Sequence, residues 1–148
     1  MIKVMFVCLG NICRSPMAEF IFRDMLTKRG LDKEFYIESS ATSREELGNP
    51  VYPPARRKLA EYGISCAGKT ARQFSAADYD RFDYILAMED SNVRNLRRMV
   101  EDTEGKIHRL LDYSSNPRNI ADPWYTGDFQ ITYDDIVEGC EAFLAEIL

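Results

Sequence analysis

The sequence predicts one α/β domain, residues 1–148, built as a four-stranded parallel sheet flanked by helices on both faces. Three observations carry that expectation. Short β-branched and aromatic runs alternate with stretches of helical periodicity. That alternation implies parallel strands covered on both sides. The length suits a single core, and the 45% hydrophobic content agrees with a folded globular chain. No repeat, low-complexity tract or linker divides it.

The elements follow in order. Val4 to Val7 has the composition of a buried strand. Cys8, a short loop and Ser15-Pro16 come next, with Ser15 placed to cap a helix whose first residue is Pro16. Met17, Ile21 and Met25, with Ala18 and Phe22, keep helical spacing until Gly30 stops it. Phe35 to Ile37 reads as the second strand, and residues 43–54, with Gly48, Pro50, Pro53 and Pro54, as a loop. Ala55 to Tyr62 is helical and ends at Gly63. Tyr84 to Met88 is the third strand, followed by a helix capped by Asp90 or Ser91 and running through Val100. Ile107 to Leu111 is the fourth strand. Residues 112–129 read as a long irregular segment, which in a compact domain is often functional. Tyr133 to Leu148 closes the chain as an amphipathic helix.

In parallel sheets, ligands bind beyond the carboxyl ends of the strands, and Cys8 sits at such an end. Five residues separate it from Arg14, and a helix starts at once. That arrangement is a coherent anion cradle. Backbone N–H groups of a tight loop turn inward, and the helix start adds positive potential that favours a sulfur anion. Arg14 can hold two oxygens of a phosphate and follow their charge into the transition state. Gly10 and Asn11 tolerate the left-handed backbone such a loop demands. The expected phosphate-binding residues are therefore Leu9, Gly10, Asn11, Ile12, Cys13 and Arg14, and Ser15 can hydrogen-bond the sulfur. A cysteine after an apolar strand is also often a plain buried side chain. The conjunction of strand, Gly-Asn and Ser-Pro is what favours chemistry here.

The stretch V-C-L-G-N-I-C-R-S-P-M-A-E at 7–19 resembles the signature of the low-molecular-weight protein tyrosine phosphatases. Further similarity is spread along the chain: S-S-A-T-S at 39–43, A-R-Q at 71–73, F-D-Y-I-L-A-M-E-D-S-N at 82–92 and D-P-W-Y at 122–125. The resemblance implies Cys8 as nucleophile, Arg14 as phosphate clamp and Asp122 as general acid, then base. It implies Asn11 as loop organiser tied to Ser39, Ser15 as partner of the thiolate, and no cofactor or metal. It also implies that Cys13 forms a reversible disulfide with the nucleophile under oxidation. From the residues alone, Asp122-Pro123 reads as a simple turn sooner than as an acid, with Asp128 as the second candidate acid and His108 a poor one. Trp124 and Tyr125 after the acid can wall a deep site that favours phosphotyrosine over shorter phosphoserine, or can cover the core.

Two positions depart from the family pattern. Glu45 stands where an aromatic rim residue is common, which points to lower tolerance of acidic peptides. Lys69 stands where a histidine is common, so the support of Ser15 differs. Rival readings are a protein-arginine phosphatase, an arsenate reductase, a non-catalytic phosphate-binding module and a sugar-transport phosphocarrier. Branched Ile12, where arginine phosphatases of the family carry threonine, favours packing against a phenyl ring. Cys66 and Cys140 are too far apart in sequence for an arsenate reductase's disulfide shuttle, and both read as core residues.

A net charge of −5 and a pI near 5.0 argue against a nucleic-acid surface. No apolar run approaches the roughly 20 residues of a membrane span, and reduced thiols in a cytoplasmic protein are the default. Four cysteines without a C-x-x-C pair, and one histidine, make a metal site improbable. The expected partners are phosphotyrosine proteins, a tyrosine kinase among them, with the chain monomeric or weakly self-associating.

Overall fold

The computed structural model describes residues 1–148. Its sheet has the predicted composition: β1 (Ile2–Cys8), β2 (Phe35–Ala41), β3 (Tyr84–Ala87) and β4 (Ile107–Arg109), all parallel, in the order β2-β1-β3-β4. β1 is flanked on both edges, with Val4 paired to Ile37 on one side and to Tyr84 on the other. The pleat then sorts its side chains. Val4, Phe6 and Cys8 face a larger core, while Met5 and Val7 face a smaller one.

The larger core is closed by α1 (Arg14–Lys28), α2 (Pro53–Glu61) and α6 (Phe129–Ile147). Phe22 of α1 joins them, packing edge-on against Phe6 and Phe35 with ring centroids 5.8 Å apart in both pairs. The smaller core lies under α3 (Ala76–Arg81) and α4 (Asp90–Met99), around Phe74, Phe82 and Leu96. α5 (Pro123–Thr126) is a single turn beside the mouth of the sheet. Because β1 connects to neighbours on both sides, the chain reverses its winding beyond the carboxyl ends of β1 and β3. Such a switch point leaves a crevice there.

Several expectations are corrected. The first helix starts at Arg14, so Pro16 is its third residue; Cys13 occupies the cap position and offers no side-chain bond there. α3 has no apolar period to announce it, since only Asp78 and Tyr79 of its six residues are buried; a reciprocal Ser75–Asp78 capping box starts it. Glu89, rather than Asp90 or Ser91, caps α4, in a capping box with Asn92. β4 stops at Arg109, and Leu110–Tyr113 forms a 3-10 turn that buries both Leu110 and Leu111, which a continuing strand would point to opposite faces. The segment 112–129 is not wholly irregular, since it contains α5.

Candidate active site

The loop after β1 is held open by its own carbonyls. Those of Cys8, Leu9 and Ile12 accept bonds from the N–H groups of Thr42, Ser43 and Tyr52, at 3.0, 3.0 and 2.9 Å. With these carbonyls turned outward, the loop can present N–H groups to the crevice, where they make an anion site together with the uncapped first turn of α1. Asn11 provides the sharp bend at φ 60°, while Gly10 keeps a negative φ. An asparagine tolerates this conformation when its side chain is fixed locally. Its Nδ2 donates to Ser15 Oγ at 2.7 Å and to Ser39 Oγ at 3.0 Å, and its Oδ1 accepts from the Arg72 N–H at 3.2 Å. Ser15 is therefore not a helix cap: its hydroxyl is 2.9 Å from Cys8 Sγ, and the Asn11 N–H is 3.3 Å from the same sulfur.

Arg14 is 2% exposed and its guanidinium is fixed from behind. Nη1 donates to a Glu89 carboxylate oxygen and to the Ile120 carbonyl, the latter at 2.8 Å. Nη2 lies 3.4 Å from Asp122 Oδ2. Both hydrogens of Nη1 are thus used, and Nε and Nη2 are left as the edge that can fork onto an anion. Burial pushes the Glu89 carboxyl up, but bonds from Ser91 and Arg14 outweigh it and hold the group below the usual carboxylate range. Asp122 caps α5, its Oδ1 accepting the Trp124 N–H at 3.0 Å. Trp124 packs on Tyr52 with ring centroids 4.7 Å apart.

These groups enclose a cavity of about 160 Å³ at the mouth of the sheet. Its lining grades from buried Cys8, Cys13 and Arg14, through half-buried Gly10, Ile12, Glu46 and Asp122, to exposed Leu9, Glu45, Trp124 and Tyr125. Burial, then the nearby Cys8 and Asp122 charges, push the Cys13 thiol up to about 12, so it is protonated at neutral pH.

Comparison with known proteins agrees with this arrangement. The family model described as "Low molecular weight phosphotyrosine protein phosphatase" matches residues 3–148. The chain belongs to this family. It is 46% identical to the low molecular weight protein-tyrosine-phosphatase YfkJ of Bacillus subtilis, over 99% of this chain and 96% of that one. It is 40% identical to the low molecular weight phosphotyrosine protein phosphatase of Homo sapiens, over 96% and 93% of the two chains. The crystal structure of YfkJ superposes with a TM-score of 0.93, covering 99% of this chain and 94% of that one. That of a drosophila arginine phosphatase, at 32% identity, covers 98% and 97% with a TM-score of 0.90. As a member of this family, the chain is a phosphoric monoester hydrolase.

The phosphatase brings nearly all of its sequence-predicted site residues together. Cys8, Leu9, Gly10, Ile12, Cys13, Arg14, Glu45, Asp122, Trp124 and Tyr125 line the cavity; Asn11, Ser15 and Ser39 form the layer beneath the loop. Asp128 is elsewhere, capping α6 through Ile131 N–H at 3.0 Å. His108 lies in β4, its Nε2 2.9 Å from the Gly105 carbonyl, away from the cavity. Lys69 does not reach Ser15; it donates to the Ser39 carbonyl at 2.8 Å and lies 3.5 Å from the buried Glu19. Cys66 and Cys140 are in the core. Sequence reasoning assigned no role to Glu89, Ile120, Tyr52 or Arg72. Arg72 and Glu89 lay within the resembling stretches at 71–73 and 82–92, and Glu89 is also a charged residue just past the carboxyl end of β3. No helix is long and apolar enough to cross a membrane.

Proposed function

We propose that this enzyme hydrolyses phosphotyrosine in proteins through a phosphocysteine on Cys8. The observation that carries the reading is the convergence of Cys8, Arg14 and Asp122 on one cavity. Arg14 holds two phosphoryl oxygens through Nε and Nη2, and loop N–H groups bind the rest. The Cys8 thiolate attacks phosphorus and the bond to the tyrosine oxygen breaks. Asp122 gives its proton to that oxygen, so a phenol leaves instead of a phenolate. Water then attacks the phosphocysteine, its proton passes to the Asp122 carboxylate, and the S–P bond breaks. The Ser15 hydroxyl, 2.9 Å from the sulfur, donates to the departing thiolate.

Ile12, Trp124 and Tyr125 suit an aromatic ring above the phosphate, which favours tyrosine over arginine. Glu45 and Glu46 on the rim disfavour acidic flanking residues. Cys13, buried beside the cradle, is the resolving thiol for Cys8. After a peroxide converts Cys8 to sulfenic acid, Cys13 sulfur displaces water and forms the disulfide. Four free cysteines fit a reducing compartment, so we place the enzyme in the cytoplasm, acting as a monomer or a weakly self-associating chain on phosphotyrosine proteins that include a tyrosine kinase.

The test is turnover of p-nitrophenyl phosphate beside phosphoarginine. Wild type should prefer the aryl ester, and Cys8→Ser should lose at least about a thousandfold of that activity. Activity retained in Cys8→Ser ends the proposal, and preferential turnover of phosphoarginine moves it to that substrate.

A further inference from the structure

Beneath the loop, away from the cavity, a charged cluster ties the outer edge of the sheet to the nucleophile. The Arg72 guanidinium bridges two carboxylates on different elements. Nη1 and Nη2 donate to the two oxygens of Asp78 on α3 at 2.9 and 3.1 Å. Nε and Nη2 donate to Glu38 Oε1 on β2 at 3.3 and 3.1 Å. Asp78 is 1% exposed and also accepts the Ser75 N–H at 2.8 Å. Burial pushes its carboxyl up, but the bonds from Arg72 and Ser75 win and hold it below the usual range. A forked guanidinium bonded on two edges has little freedom, so the backbone that carries it is fixed as well.

That backbone is what makes the cluster more than an edge cover. The Arg72 carbonyl accepts the Ala41 N–H at 2.8 Å, and the Arg72 N–H donates to Asn11 Oδ1 at 3.2 Å. The Asn11 amide has two donors, both spent on Ser15 and Ser39. Its Oδ1 therefore faces Arg72, and this bond sets which way the amide is turned. The orientation passes on: Nδ2 aims at Ser15 Oγ, and Ser15 Oγ aims at Cys8 Sγ.

We propose that Arg72, locked between Asp78 and Glu38, is a positioning residue for the nucleophile: it fixes the Asn11 amide, and through it the Ser15 hydroxyl, against Cys8 Sγ. The proposal rests on the reading of Cys8 as nucleophile. It also gives α3 a purpose, since Asp78 is the buried anchor of the relay. Arg72 touches no substrate; it acts through a main-chain N–H that its own forked side chain and the bonds of residues 71–74 to Ala41 and Asn49 hold together.

The test is a double-mutant cycle of Arg72→Met and Asn11→Ala, read by p-nitrophenyl phosphate turnover and by the rate at which iodoacetamide alkylates Cys8. Folding of each variant is checked by circular dichroism. Arg72→Met should lower kcat and the alkylation rate about tenfold, with phosphate inhibition changed less than about twofold, because Arg14 is untouched. In the Asn11→Ala background the same change should cost less than about twofold more. Additive losses would overturn the relay, since a merely structural role adds to any other defect. Should Arg72→Met fail to fold, Arg72→Lys, which keeps the charge without the fork, carries the cycle with about a threefold loss and the same non-additivity. Wild type without turnover but with a non-additive alkylation cycle sinks the phosphatase reading alone. Turnover with an additive cycle sinks the relay alone.

Discussion

The two sides of the cavity are built to different standards. On one side, Asn11, Arg14 and Ser15 are 1%, 2% and 0% exposed, and each side chain makes at least two hydrogen bonds. On the other, Trp124 is 53% and Tyr125 81% exposed, and Asp122 stands on a single helical turn. The difference matches what each side must recognise. A phosphoryl group is the same in every substrate, so its donors can be fixed before it arrives, which is where preorganised electrostatics gain most. The leaving group and its flanking peptide vary, and Asp122, the acid in the proposed mechanism, sits with the rim on a short exposed element.

The largest effect that would break this contrast is expected at Asp122. Asp122→Ala should lower kcat about a hundredfold or more for phenyl phosphate, where the departing oxygen needs a proton. The loss should be much smaller for p-nitrophenyl phosphate, whose leaving group departs readily as an anion. Measuring kcat across a series of aryl phosphates checks this; equal losses across the series would mean that Asp122 supports the cradle through Arg14 and does not act as the acid.

A smaller effect is expected at Glu89, on the fixed side. Glu89→Gln keeps a hydrogen-bonding side chain but removes the charge that orients Arg14, and should lower kcat/KM for p-nitrophenyl phosphate about tenfold. The pH dependence of stability follows from the direction of the shift. The Glu89 carboxyl is held below its unfolded value by Ser91 and Arg14, against the opposing effect of burial. Its contribution is therefore fully present above the unfolded value and lost as pH falls through the folded one. The melting-temperature gap between wild type and Glu89→Gln should be widest near neutral pH and should close on acidification below the ordinary glutamate range. With the side chain partly exposed, the gap should correspond to only about 1 kcal/mol.

How much of this was legible follows the same division. The strands and α1 announce themselves because one periodicity decides burial, and the device Cys8–Arg14 lies within a few residues of one strand end. Of the two readings of Ser15, the helix cap fails, because Ser-Pro is only a local signal, and the bond to the sulfur, 2.9 Å away, is the one formed. Gly10 and Asn11 were both candidates for the left-handed backbone, and Asn11 takes it because three neighbours fix its amide. Glu89 received no role from the sequence; its place is set by an arginine 75 positions earlier, which no local pattern encodes. α3 was missed because its buried members are an aspartate and a tyrosine, held by hydrogen bonds instead of an apolar stripe.

The smallest effect is expected at Trp124, and it sharpens the contrast most. The residue serves the site twice, through atoms that can be separated. Its backbone N–H orients Asp122 at 3.0 Å, while its ring leans on Tyr52 and forms part of the rim. Trp124→Ala removes only the ring, so KM for p-nitrophenyl phosphate should rise about threefold while kcat stays within about twofold and inhibition by inorganic phosphate is unchanged. Trp124→Pro removes the N–H as well, and should add a loss of kcat that grows as the leaving group becomes poorer. A kcat defect in the alanine variant as large as in the proline variant would show that the ring itself holds the acid, and the exposed side of the cavity would then be as tightly built as the buried one.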